Sequence, residues 1–100
     1  MSDETKAIID KISNSLPTIR TSYNVKYLGV FGSTARGQQT INSDVDLLVD
    51  FSKPVGFFAF IRLENHLSKL LNKKVDLVSR QGLKPSIKED ILKEVIDING

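Results

Sequence analysis

The sequence contains no cysteine and only one histidine and one methionine. Without cysteine, disulfides and thiolate zinc sites are both excluded. Long apolar runs are missing too. The longest, Val55 to Ile61, is far too short to span a bilayer. The opening MSDETKAIIDK carries acids where a secretory leader carries positive charge, and it has no apolar segment, so no leader is expected. These absences describe a soluble, cytoplasmic chain. Charge of one sign is not in large excess either. Fourteen bases against twelve acids give a net charge of +2, too mild to indicate nucleic-acid binding by itself. The dinucleotide fingerprint GxGxxG is absent. A P-loop fails as well: Gly32 and Gly37 have the right spacing, but Gln38 stands where the lysine must be.

What is present fits one small domain, residues 1–100, with an apolar share of 40% and a charged share of 26%. Charge is unevenly distributed. Ser43 to Asp50 holds three aspartates and no base, whereas Lys69, Lys73, Lys74, Arg80, Lys84 and Lys88 gather later. An acidic cluster inside a basic chain points to a cation site or to a solvated face.

Periodicity places the elements. Residues 3–16 read as an amphipathic helix with Ile8, Ile12 and Leu16 on one side, interrupted by Pro17 and the polar TSYN stretch. KYLGVF, residues 26–31, reads as a strand, followed by a helical turn over 33–36 and the turn-like QQTINS. DVDLLVDF, residues 44–51, is the second strand. Alternation puts Asp44, Asp46, Leu48 and Asp50 on one face and Val45, Leu47, Val49 and Phe51 on the other. A helix over 56–71 carries the stripe Phe60, Leu63, Leu67 and Leu70, and KVDLVS, residues 74–79, is the third strand. Ser86 to Glu89 matches a capping box opening a last helix with Ile87, Ile91 and Val95 on one face. The expected class is α/β (α+β): a small mixed sheet of about three strands, with helices on one face and the other face open near the aspartates. The helix between strands two and three suits a parallel crossover, and the short link between strands one and two suits an antiparallel pair.

The chemistry-bearing pattern is Gly32-Ser33, ten residues, then Asp44-Val45-Asp46. Carboxylates at i and i+2 on a strand share a face and can chelate a hard cation such as Mg²⁺. Gly32 lets backbone approach a phosphate, Ser33 and the next amides can donate to it, and Arg36 can pair with a phosphate oxygen. Asp76, between Val75 and Leu77, falls on the face away from the helices, beside the Asp44/Asp46 pair if strands two and three are neighbours. Three carboxylates on one face repel one another without cations.

Gly32-Ser33-x10-Asp44-x-Asp46, with Asp76 on a later strand, resembles the signature of the DNA polymerase beta-like nucleotidyltransferase superfamily. The loop GSTARG and the ending KVDLVSRQGLKPSIKEDILKE resemble the minimal nucleotidyltransferases (MNT) over residues 25–97. The resemblance implies that Asp44 and Asp46 ligate two Mg²⁺ ions. It implies that Asp76 ligates the catalytic one and helps activate an acceptor hydroxyl. Gly32 and Ser33 would bind the triphosphate, supported by Arg36. It also implies transfer of NMP, AMP from ATP being expected, to a hydroxyl, and a small helical HEPN protein as toxin partner of an antitoxin. The alternative reading is an antitoxin that works by occluding its partner without turnover. A DxD glycosyltransferase fails on size, since no room remains for a sugar-acceptor domain.

Other residues read as structural. Asp50 lies near the strand end and reads as surface, and His66 as a surface histidine. Phe60 reads as core, and Phe57 and Phe58 as core before interface. The late lysines read as a solvated rim that could meet RNA or an acidic partner. Base preference, acceptor identity, number of nucleotides transferred and homo-oligomer formation are not legible.

Overall fold

The structure, a computed structural model, describes residues 2–40 and 42–99. The elements are α1 (Asp3–Tyr23), β1 (Val25–Phe31), α2 (Gly32–Ala35), β2 (Val45–Phe51), α3 (Phe57–Leu71), β3 (Val75–Ser79), a 3₁₀ turn (Arg80–Gly82), α4 (Pro85–Glu94) and β4 (Ile96–Asp97). The sheet order is β3-β2-β1-β4, with β1 antiparallel to both β2 and β4, and β2 parallel to β3. The crossover and hairpin expectations are thus met, with a fourth strand added. β4 was not expected because two residues carry no periodicity.

One face of the sheet supplies Leu28, Val30, Val45, Leu47, Val49, Val75 and Leu77 to the core. Against it pack Ile8, Ile12, Leu16 and Ile19 of α1 and Leu63, Leu67 and Leu71 of α3. The α1 stripe runs straight past Pro17, so the helix continues seven residues beyond the point where the sequence suggested a break. Pro17 is on the exposed side of α1, away from the face that carries Ile12, Leu16 and Ile19 into the core. Asn24 and Asn72 adopt left-handed conformations, with φ of 58° and 50°, and end α1 and α3. The capping box at Ser86 is not formed. Lys84 is the N-cap and Pro85 occupies the first turn, where its fixed φ and missing N–H are harmless.

The second sheet face is less open than expected. Leu48 is fully buried although it points away from the main core. Its strand partner is Gly29, and a side chain there would collide with the Tyr27 hydroxyl and Val95. Those two groups lie over the middle of the face. The Tyr27 hydroxyl donates to Asp97 Oδ1 at 2.5 Å, and Arg80 stacks 5.6 Å from the Tyr27 ring centre. Burial, then the Asp97 carboxylate, push the Tyr27 pKa up, while the Arg80 charge pulls the other way.

Three side-chain expectations change. Phe57 and Phe58 are 71% and 76% exposed, edge-on to each other, because they form the solvent-facing start of α3. Phe60 alone packs on the core, against Phe51. His66 is half-buried against the Tyr23 ring, at 5.4 Å. Along the free edge of β3, the outward amides of Val75 and Leu77 donate to Ser68 Oγ (3.1 Å) and Glu64 Oε2 (2.9 Å) of α3. Among the described residues no helix is long and apolar enough to cross a membrane.

Candidate active site

The sheet register brings the signature residues together. β1 ends at Phe31, whose antiparallel partner is Asp46, and the parallel partner of Asp46 is Asp76. Gly32 follows Phe31 directly. One end of the sheet therefore presents the phosphate-loop start, Asp46 and Asp76 side by side. Asp44 sits just before β2 rather than inside it, two residues upstream of Asp46.

Gly32 has φ of +71°, which favours glycine, and a Cβ there would overlap the Asp46 carboxylate, Oδ2 above all. The carboxylate thus rests directly on the loop backbone. The loop closes on itself through Arg36 N to the Gly32 carbonyl (3.2 Å) and Gln38 N to the Ser33 carbonyl (2.9 Å). The turn leading to the aspartates is held by Thr40 N donating to Ser43 Oγ (2.8 Å). Ile41, within the QQTINS stretch, lies outside the described residues.

Electrostatics mark Asp46. Burial, then the charges of Asp76 and Asp44, hold its pKa above the ordinary aspartate value, with Arg36 opposing and Glu94 adding. Asp44 and Asp76 are exposed, and Asp44 Oδ2 lies 3.8 Å from Lys74 Nζ. Among the described residues no three carboxylate or imidazole groups are close enough to enclose a metal ion. The donor set is nevertheless all hard oxygen, and the negative charge around Asp46 is only partly offset. Both properties fit Mg²⁺. Asp50 is engaged elsewhere, accepting from Gln81 Nε2 (3.3 Å) and from the Phe51 amide (3.0 Å).

Sequence reasoning missed two supports of the loop. Glu94, the last residue of α4, accepts from the Gly32 amide through Oε1 (2.9 Å) and from Arg36 NH1 through Oε2 (2.9 Å). At the other side, buried Thr5 of α1 donates to the Thr34 carbonyl (2.7 Å), and Gln39 Nε2 donates to Ser2 Oγ (3.2 Å). Both contacts join segments far apart in sequence, and no local pattern announces them.

Residues 9–98 match the family model for the nucleotidyltransferase domain. The chain belongs to this family. Protein adenylyltransferase MntA of Thermococcus cleftensis is 44% identical over 78 residues, 78% of this chain and 79% of its own. A solved structure described as a candidate minimal nucleotidyltransferase has a TM-score of 0.78 at 33% identity, with 95% of each chain covered. A chain from the complex of tri-AMPylated Shewanella oneidensis HEPN toxin with MNT antitoxin has a TM-score of 0.67 at 17% identity. It covers 92% of this chain and 72% of its own, and it shares the fold. The protein is therefore a nucleotidyltransferase of the minimal type, and the resemblance drawn from GSTARG and the spaced aspartates is borne out.

Proposed function

We propose that this nucleotidyltransferase moves AMP from ATP onto a hydroxyl of a HEPN-type partner protein in the cytoplasm and so acts as an antitoxin. The observation that carries this is the alignment of Phe31, Asp46 and Asp76 across β1, β2 and β3, which sets Gly32 against the Asp46 carboxylate at one sheet end. The acceptor oxygen attacks the α-phosphorus, the bond to the bridging oxygen breaks, and pyrophosphate leaves. Asp44, Asp46 and Asp76 would hold Mg²⁺, which when bound neutralises the phosphate charge. Ser33 would donate to the triphosphate, and Gly32 leaves room for it to approach. Arg36, half-exposed, would pair with its outer oxygens. Exposed Asp76 stands free to take the acceptor proton. The MntA relative supports adenylyl transfer by its name, and the AMPylated HEPN complex supports the kind of partner.

The test combines the protein with a HEPN-type partner, α-labelled ATP and Mg²⁺. Label is expected on the partner, and the substitutions Asp44→Asn and Asp46→Asn should each reduce it by at least about a hundredfold. Undiminished labelling by either variant would remove the metal assignment. A tight complex without label would instead establish occlusion as the mode of action.

A further inference from the structure

The Arg36 guanidinium has five N–H donors in a fixed plane. Its Nε is taken by Gln38 Oε1 at 3.1 Å, and NH1 by Glu94 Oε2 at 2.9 Å. The side chain is still half-exposed, and the remaining donors are directed to neither partner. The other oxygen of Glu94 holds the Gly32 amide, at the opposite end of the same helical turn. One carboxylate, delivered from the end of α4, therefore spans both ends of the phosphate loop. A long, flexible side chain held at two points loses little further freedom when it meets a ligand.

We infer that Glu94 is a positioning residue, which presets Arg36 for the triphosphate by tying it to the Gly32 end of the loop; the inference rests on the nucleotidyl-transfer reading of this loop. Glu94 reaches the nucleotide only through Arg36. It makes Arg36 a prepared contact rather than one assembled at binding. Its negative charge stays matched by Arg36, so the loop gains order without gaining a free carboxylate.

The decisive experiment measures KM for ATP and kcat for AMP transfer in Glu94→Ala, Glu94→Gln, Arg36→Ala and the Arg36→Ala/Glu94→Ala double variant. Glu94→Ala should raise KM on the order of tenfold, the size of one charge-assisted hydrogen bond, with kcat within about twofold. Glu94→Gln should recover part of the loss, because its amide oxygen can still accept one bond. In the Arg36→Ala background, removing Glu94 should add little. A lower KM in Glu94→Ala would mean that the carboxylate competes with the triphosphate, and the inference falls. An equal KM increase with and without Arg36 would also overturn it. Should the wild type transfer no AMP, the functional reading fails on its own, and the Arg36 Nη1–H resonance, the one that reports the bond to Glu94, decides whether Glu94 fixes Arg36. A sharp, resolved signal in the wild type that broadens in Glu94→Ala supports the splint, and an identical signal in both removes it.

Discussion

Asp46 rests on the backbone of Gly32 and faces two further aspartates, so its charged form is disfavoured. A raised pKa in the folded state means that the folded chain holds the proton more tightly than the unfolded chain. The resulting contribution to stability is present at low pH. It is lost as pH climbs from the ordinary value of 3.8 through the raised one. In metal-free buffer, urea unfolding should show wild type losing stability relative to Asp46→Asn across that window. At neutral pH the variant should be at least as stable as wild type while inactive. Mg²⁺ should narrow the gap by stabilising wild type alone. An Asp46→Asn protein that is clearly weaker at neutral pH without metal would contradict this account of the carboxylate.

Elements were legible where burial and period agree. β1, β2, β3 and α3 each carry their apolar residues at the spacing their packing requires, and their observed limits fall within a residue of the expected ones. Gly32, Ser33, Asp44, Asp46 and Asp76 could be placed together because strand alternation and one crossover bring them to the same sheet end. Pro17 predicts a break by local propensity alone, and the side of α1 that faces solvent, where it lies, is not written in that propensity. The stripe of Ile12, Leu16 and Ile19 outweighs the lost hydrogen bond. Exchanging it tests that balance. Pro17→Ala should stabilise the protein by up to about 3 kcal/mol, read from the shift in denaturation midpoint. A loss of stability would mean that Pro17 is matched to a distortion α1 needs. Glu94 and Thr5 could not be found from sequence, since they meet the loop from 62 and 29 positions away, beyond the reach of any local pattern.

The molecule as a whole has little stability in reserve, since a domain of this size is held by a net of only about 5–15 kcal/mol. The C-terminal segment after α4 contributes more than its two-residue strand suggests. Ile98 is 3% exposed within the main core, and its amide donates to the Leu28 carbonyl at 2.9 Å. Ser13 of α1 also donates to the Asn99 carbonyl. Ile98→Ala should therefore cost about 2–5 kcal/mol, a large share of the total, as measured by chemical denaturation. A cost under about 1 kcal/mol would show the segment to be decoration. The same end of the chain carries Glu94, so core packing and loop geometry depend on one short stretch. The free margin of β3, where Ser68 and Glu64 occupy the outward amides, sets how this protein can meet others. A visiting chain finds no row of vacant donors there with which to extend the sheet, and the opposite margin offers only a two-residue strand. Recognition of a partner is thereby shifted toward side-chain surfaces, and edge-to-edge stacking of copies is disfavoured at the same stroke.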